Sequence, residues 1–301
     1  MPLKIKTFLL ISFYVFKIGQ ALGQGCSDAG ICTIENIKPG GPSYLTPNQF
    51  SVGIGYGNAD HGIRVLTPYI SYNRQFSKLS LEGRLTSINQ AGMETSVYGL
   101  SDLYLILNYS LTENLQGTLG IKLPLADGNR RLDGLPLPMD YQSSLGTFDL
   151  LMGVSYTINK LRLAAAYQQP LSQNMNSFLV DDYPADSDFR KFQSTNNYIR
   201  KGDLLLRLSY PVKLGNSIVL TPSLLPIYHL DDDLFTDLSS IERPISGSQG
   251  LTLNVNLFLD IPVGDNDNLQ LNLGAPLVAR QARPDGLTRS FVVNLEYQVK
   301  F

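Results

Sequence analysis

Hydrophobic and polar residues alternate along much of this chain, and the clearest example is its last stretch. From Phe291 the odd-numbered positions are apolar up to Phe301, while Asn294, Glu296 and Lys300 are among the polar residues between them. A period of two places successive side chains on opposite faces of a β-strand. The pattern therefore predicts a strand with one wholly apolar face and one polar, charged face.

The same alternation recurs in eleven earlier segments, so that twelve strands are predicted. The earlier segments are Gln49–Gly57, Ile63–Gln75, Leu79–Asn89, Val97–Leu111, Leu115–Leu125, Phe148–Ile158, Leu161–Gln169, Asp203–Val212, Ile218–Tyr228, Leu251–Val263 and Leu269–Ala279. Five tight turns fall on one side, and the long connections, residues 126–147, 170–202 and 229–249, fall on the other. Such asymmetry is typical of outer-membrane barrels, and closure is required because an open sheet edge in lipid leaves backbone groups unpaired. We predict an all-β, transmembrane, antiparallel up-and-down β-barrel over residues 49–301, with a soluble β-sandwich as the alternative.

If the apolar faces contact lipid, the charged residues between them point into the barrel. The inward candidates are Glu82, Arg84, Asp102, Lys122, Asp149, Arg162, Asp203, Arg207, Asp260, Glu296 and Lys300. Five are basic and six acidic, and a mixed set favours pairing across a narrow bore over one strong ionic field. Twelve strands fall between the filled eight-stranded barrels and the open sixteen-stranded porins. The bore is therefore expected either to pass small solutes or to be closed by its own side chains and residues 24–48.

The N-terminal residues predict export. Two lysines precede the apolar run Phe8–Phe16, and small residues follow it, which is the pattern of a secretory signal peptide over residues 1–23. Residues 24–48 are predicted to form a periplasmic segment. Its cysteines, Cys26 and Cys32, are expected to form a small disulfide loop, because exported proteins enter oxidising compartments. Acylation of Cys26, as in a lipoprotein, is the alternative.

Composition limits the partners. Loss of the three lysines in residues 1–23 moves the formal net charge from −2 to −5, and this mild acidity argues against a nucleic-acid binder. Tryptophan is absent, so an aromatic girdle would have to consist of the 16 Tyr and 13 Phe. No motif for a cofactor is present, and none is predicted.

Histidine and carboxylate residues are the candidates for other chemistry. A lipid hydrolase would need a serine activated by histidine, but His61 and His229 both lie outside any hydrolase motif, so we predict that the protein is not an enzyme. The loop residues Asp231, Asp232 and Asp233, together with His229, form a weak candidate site for Ca²⁺. The loop that contains Asp181, Asp182, Asp186 and Asp188 is similarly acidic, and a solvated, flexible loop is the simpler interpretation of both clusters.

Two stretches resemble known membrane proteins. The terminal strand with Tyr297, Val299 and Phe301 resembles the assembly signal of bacterial outer-membrane β-barrels. The stretch Tyr98–Gly128, with Gly-Leu-Ser-Asp at its start and Leu-Pro-Leu-Ala-Asp-Gly at its end, resembles the outer-membrane family named after the meta-pathway of phenol degradation. Members of that family are transporter-like barrels, and the Cys-Ser-Asp-Ala-Gly sequence that starts at Cys26 resembles barrels from Bacteroidetes.

These resemblances imply a location and a set of partners. The expected location is the outer membrane of a Gram-negative bacterium, and the expected partners are outer-membrane lipid, lipopolysaccharide, the barrel assembly machinery and small solutes. We predict a channel or transporter-like barrel for passive uptake of small, hydrophobic or aromatic solutes. The alternative is a non-conducting structural or partner-binding barrel, and an outer-membrane lipid hydrolase ranks below both.

Overall fold

The computed structural model describes residues 37–38, 47–93, 95–215, 217–286 and 290–301. The strands in chain order are β1 (Asn48–Asn58), β2 (Arg64–Phe76), β3 (Leu79–Gly92), β4 (Thr95–Ser110), β5 (Leu115–Pro124), β6 (Arg131–Leu132), β7 (Leu135–Pro136), β8 (Asp149–Ile158), β9 (Leu161–Pro170), β10 (Asp203–Ser209), β11 (Val212–Leu214), β12 (Ile218–His229), β13 (Leu234–Thr236), β14 (Glu242–Pro244), β15 (Gly250–Val263), β16 (Asp267–Val278) and β17 (Val292–Lys300). Short 3-10 helices occur at Asp60–Gly62, Met139–Tyr141, Val180–Asp182 and Asp188–Lys191. Within the described ranges, no helix has both the length and the apolar character needed to cross a bilayer.

Twelve of these strands form one closed antiparallel barrel, which confirms the predicted fold class. Each barrel strand pairs with its neighbour in the chain, and β1 also pairs with β17 along its length, from Gln49 opposite Lys300 to Gly57 opposite Val292. Because β10 pairs with both β9 and β12, the ring has no free edge there. The short β11 continues the same wall beside β12.

The two faces of the strands follow the alternation of the sequence. In β1, Val52 and Ile54 are 48% and 42% exposed on the outer face, whereas Ser51, on the inner face, is buried. In β15, Leu251 is exposed while Thr252 and Asn254 are buried. An exposed apolar surface that surrounds a polar interior is the arrangement of a barrel in lipid.

Four long connections lie at the end of the barrel opposite the tight turns. We call residues 125–148 loop A, residues 171–202 loop B, residues 230–249 loop C and residues 279–291 loop D. Loop A contains the β6–β7 hairpin, and loop C contains the β13–β14 hairpin. The four loops together are called the lid.

The lid has an apolar core of its own. In one cluster, Leu137 and Tyr141 of loop A pack with loop B and with residues at the barrel rim such as Val65. Loop B contributes four aromatic residues, Phe178, Tyr183, Phe189 and Phe192, to this cluster. A second cluster joins Met139 and Leu145 of loop A to Tyr198 of loop B and Ile245 of loop C. The acidic side chains Asp181, Asp182 and Asp186 of loop B are exposed to solvent, as expected, while the aromatic residues around them pack into the lid.

Candidate functional site: the lumen and its lid

The structure places the inward candidates on the inner face of the barrel. Glu82, Arg84, Asp102, Lys122, Asp149, Asp203, Arg207, Asp260 and Glu296 are all buried, and Arg162 and Lys300 are partly buried. Arg162 donates to the hydroxyl of Ser155 on the neighbouring strand. The burial of so many charged groups inside the ring makes the lumen the candidate site.

Glu296 on β17 is the centre of one charged group. Lys38, from the N-terminal segment, lies with its Nζ 2.8 Å from Oε2 of Glu296, and Nη2 of Arg84 lies 3.7 Å from the same oxygen. The hydroxyl of Tyr69 donates to Oε2 as well, and Gln298 donates to Oε1 at 2.6 Å. The guanidinium of Arg84 stacks on the Tyr69 ring at 3.9 Å, a favourable cation–π distance. One carboxylate therefore holds two cations.

Ile37 fixes the same N-terminal segment against the opposite wall. It is 1% exposed and packs in a cluster of inward apolar residues, Tyr104, Ile106, Leu151, Ala164, Ala166, Leu205, Leu225 and Ile227. A Cβ on Gly153 would lie 3.1 Å from Cδ1 of Ile37, so glycine at this position gives the side chain room. Residues 37 and 38 therefore lie inside the lumen, and they bridge an apolar patch and a charged group.

A second charged group lies closer to loop A. Nζ of Lys122 is 2.8 Å from Oδ2 of Asp149 and donates to the hydroxyl of Thr147 at 3.0 Å. Gln168 also donates to Oδ2 of Asp149. Because Lys122 and Asp149 are at most 2% exposed, this is a desolvated ion pair with additional hydrogen bonds, and such pairs depend on both partners.

A third charged network connects the lid to the barrel. Arg200 of loop B pairs with Asp203 at the start of β10, at 2.5 Å, and its Nη2 lies 4.0 Å from Asp285 of loop D. Arg280 binds Asp285 at 3.0 Å. His229, at the end of β12, lies between Asp203 and Asp233, of which Asp233 belongs to loop C. The hydroxyl of Tyr198 in loop B donates to Asp233 at 2.7 Å.

The ring of His229 carries a proton on both nitrogens in this arrangement. Nδ1 is 2.7 Å from Asp203 and Nε2 is 2.8 Å from Asp233, and carboxylates only accept hydrogen bonds. A neutral ring would direct a lone pair at one of these oxygens. Burial raises the pKa of Asp233, but the hydrogen bond and charge of His229 outweigh burial and hold that pKa below its usual value. With His229 protonated, the network contains three cations and three carboxylates.

Asp140 of loop A is a further titratable group of the lid. It faces Asp60 and Asp285, and Arg283 of loop D binds Asp60 at 2.8 and 3.1 Å. Burial, followed by the charge of Asp60, raises the pKa of Asp140 from 3.8 to about 7. Asp140 is therefore protonated in the folded lid at pH values at which it would ionise in the unfolded chain.

We expect Asp140→Asn to stabilise the protein as the pH rises. Well below pH 3.8 the acid is protonated in both states and the variant should match the wild type. Above that pH, ionisation of Asp140 lowers the free energy of the unfolded state, so the wild type loses stability until the pH passes about 7. Because Asp140 is only partly buried, we expect the free energies of unfolding of variant and wild type to differ by about 2 kcal/mol at pH 8. Urea unfolding from pH 4 to 8 measures it, with the exposed Asp133→Asn of the same loop as control. A difference that does not change with pH would contradict the assignment.

The outer wall has an apolar depression of about 500 Å³ across β8, β9, β10, β12 and β15. Ala165, Leu206 and Pro226 are among its lining residues. It lies where the pairing of β10 with β12 is interrupted: Leu205 pairs with Ile227, and pairing resumes only at Leu208. Pro226 lies in this gap, and proline has no N–H to donate to a neighbouring strand.

The other candidate residues have different environments. Among the described residues, no group of three His, Cys, Asp or Glu side chains is placed to hold a metal ion. Both nitrogens of His229 are occupied, Asp231 accepts from the backbone of Asp232, and Asp232 accepts from the backbone of Gln249. The predicted Ca²⁺ ligands thus belong to the lid's internal hydrogen bonding. His61 packs edge-on against Phe192 at 4.6 Å.

The terminal strand presents the predicted assembly residues at its end. Tyr297 and Phe301 are 40% and 58% exposed on the outer face, and Val299 is partly exposed. The backbone of Phe301 exchanges hydrogen bonds with Asn48 at 3.1 Å, which closes the seam between β1 and β17. The predicted signal peptide and the Cys26–Cys32 disulfide lie outside the described residues.

Several residues of the site were missed from the sequence. Lys38, Arg200, Arg280 and Asp285 lie in segments without a period of two, so alternation could not place them. The aromatic residues of loop B offered a signal: four of them lie within fifteen residues of a connection otherwise rich in polar residues, which suggests a packed loop.

Comparisons with known proteins find similar solved structures but no relative by sequence. No protein-family model matches the sequence. No curated protein matches it. Among solved structures, the NanC porin is 9% identical, with a TM-score of 0.48 over 84% of this chain and 98% of that one. The CymD monoaromatic hydrocarbon channel is 11% identical (TM-score 0.47, 94% and 95% covered), and the toluene transporter TbuX of Ralstonia pickettii is 12% identical (TM-score 0.43, 86% and 90% covered). Similarities this weak say nothing about a solute or a mechanism.

Proposed function

We propose that this protein is an outer-membrane channel for passive uptake of small, hydrophobic or aromatic solutes. The observation that carries the proposal is the apolar patch inside the barrel, formed by residues such as Tyr104, Ile106 and Leu225. The interior of a water-filled porin is polar, so a patch of this kind favours solutes with apolar surface. Ile37 occupies the patch in this structure and is the group that such a solute would displace.

The wall depression supports the same class of solute. It is lined almost wholly by apolar side chains, and the interrupted pairing beside Leu206 weakens the wall at that point. Because the outer wall faces lipid, an apolar solute that passes the wall at this point would enter the hydrocarbon of the bilayer directly. The proposed solute class thus has apolar contacts both inside and outside the wall.

A specific observation favours a second candidate, a non-conducting barrel that displays its lid to a partner. Residues 37 and 38 lie in the lumen, and the four loops of the lid pack together over the mouth. A barrel closed both inside the lumen and at its mouth would serve as a structural or partner-binding protein. The two candidates differ in whether this closure is reversible.

The assembly residues and the location complete the proposal. We propose that Tyr297, Val299 and Phe301 are recognised by the barrel assembly machinery of a Gram-negative bacterium, and that the exposed apolar surface contacts outer-membrane lipid and lipopolysaccharide. The exposure of Tyr297 and Phe301 on the outer face supports this role, because an assembly factor could reach both side chains.

We expect single-channel recordings to separate the two candidate functions. A variant that lacks residues 24–46 removes Ile37 and Lys38 but keeps β1, and it should give discrete ohmic steps larger than those of the full chain. In vesicles with lipopolysaccharide in the outer leaflet, whose sugar layer slows apolar molecules, the full chain should speed the uptake of toluene relative to vesicles without protein. Heat-modifiable gel mobility controls for folding. Silence of both proteins, without toluene uptake, would reject the channel and favour the structural barrel.

A further inference from the structure

One sector of the inner wall is lined by neutral polar side chains. It consists of Thr221 and Ser223 on β12, Asn254 and Asn256 on β15, and Asn272 on β16. Each of these side chains is at most 8% exposed. We call this sector the amide strip. Its five members carry no charge, but they surround the buried ring of Phe258, and the guanidinium of Arg207 lies 5.5 Å from that ring.

The strand register arranges the strip around one aromatic residue, because Thr221 and Asn272 both lie opposite Phe258. Ser223 lies opposite Asn256. Leu225, two residues after Ser223 on β12, lies opposite Asn254. On the other side Asn256 lies opposite Gly274, where a Cβ would come within 2.5 Å of the Asn256 Nδ2 atom. Glycine at 274 therefore leaves the space that the Asn256 amide occupies.

Most polar atoms of the strip have no protein partner among the described residues. Within the described part of the chain, the Oδ1 and Nδ2 atoms of both Asn254 and Asn256, the hydroxyls of Thr221 and Ser223, and Oδ1 of Asn272 are buried without a hydrogen bond. A buried polar group left without a partner destabilises the fold. Such a cluster is therefore unfavourable for folding, and a ligand that completes its hydrogen bonds would recover part of this free energy.

The chemistry of the strip defines the ligand. Amides and hydroxyls both donate and accept, so the complementary groups are hydroxyls, which do the same. The guanidinium of Arg207 disfavours a cation, and the amides and hydroxyls of the strip need no charge in their partner, so an uncharged molecule is the simplest ligand. Leu225 belongs to the apolar patch and lies on the strip's border, so the same ligand would also meet an apolar surface.

We propose that the amide strip is a binding site for an uncharged solute that has several hydroxyl groups along one edge and an apolar ring face, as an aryl glycoside has. This inference rests on the proposed channel function and names its solute class more closely. Asn254 and Asn256 bind the hydroxyl edge, and the side chains around Leu225 contact the ring.

The test is equilibrium binding to the full chain in detergent, measured by saturation-transfer NMR with three probes. Phenyl β-glucoside carries both features, glucose carries only the hydroxyls, and toluene carries only the ring. We expect phenyl β-glucoside to bind most tightly. In the double variant Asn254→Leu, Asn256→Leu its affinity should fall at least tenfold while the affinity for toluene stays unchanged. The control, Asn108→Leu, replaces an inner-wall asparagine that already bonds Ser80 and Thr118.

Stability gives an independent readout. Because the two amides lack partners, the double variant should unfold at the same urea concentration as the wild type or a higher one, whereas Asn108→Leu should unfold at a lower one. Failure of phenyl β-glucoside to bind, or unchanged affinity in the double variant, would overturn the inference. So would a loss of stability in the double variant that disappears when residues 24–46 are removed, since the strip would then serve the N-terminal segment. Binding is measured without ion flow, so a silent channel with an intact strip would reject only the channel.

Discussion

Arg200→Ala is expected to release the lid. Arg200 is 1% exposed and neutralises Asp203, and it also lies within ion-pair range of Asp285. Its removal leaves two buried carboxylates with less counter-charge, and breaking a buried ion pair from one side costs about 3–5 kcal/mol. The lid depends on this network because Arg200, Asp233 and Asp285 come from three different loops. The population of open lid should therefore rise at least a hundredfold.

Cleavage of loop B by chymotrypsin measures this population. The aromatic residues Phe189 and Phe192 are buried in the closed lid, so cleavage beside them requires opening. The matched control is Arg243→Ala in loop C, whose ion pair with Asp237 is largely exposed to water and therefore contributes little to stability. Equal cleavage rates in the two variants would show that the buried network does not hold the lid.

The barrel could be predicted from the sequence because its signal is local. Lipid on one side and a polar interior on the other impose a period of two on every strand, and β15 shows it over its full length. The largest misprediction within a barrel strand concerns Asp203–Val212, which was expected to be continuous. The structure ends β10 at Ser209, before Pro211, which lacks an N–H for the sheet. The short β11 then begins at Val212.

The site was predictable only in part because its contacts are not local. Alternation placed Glu296 and Arg84 on the inner face, but nothing in their own strands shows that they meet. Lys38 contacts Glu296 across 258 positions of sequence, from a segment with no strand pattern. The lid network likewise joins Arg200, His229 and Asp285, which only the folded loops bring together. Period and composition contain no information about such pairs.

Glu296→Gln is expected to expel the N-terminal segment from the lumen. The substitution keeps the shape of the side chain but leaves the buried cations of Lys38 and Arg84 beside a neutral amide. An uncompensated buried charge costs several kcal/mol, and Lys38 can avoid this cost by leaving for water. Single-channel conductance should rise toward that of the variant that lacks residues 24–46.

Two further variants make this expectation specific. Lys38→Gln should have a smaller effect, because Glu296 keeps Arg84 and Tyr69 as partners and no cation is left unpaired on the N-terminal segment. Asp102→Asn is the matched control: Asp102 is a buried inner-face acid on β4 that accepts hydrogen bonds from the hydroxyls of Ser101 and Ser144. A rise of equal size in Asp102→Asn would assign the effect to general loosening of the barrel. If Glu296→Gln folds and conducts like the wild type, Lys38 has stayed in the lumen without its counter-charge. That result would show that the ion pair does not retain the N-terminal segment.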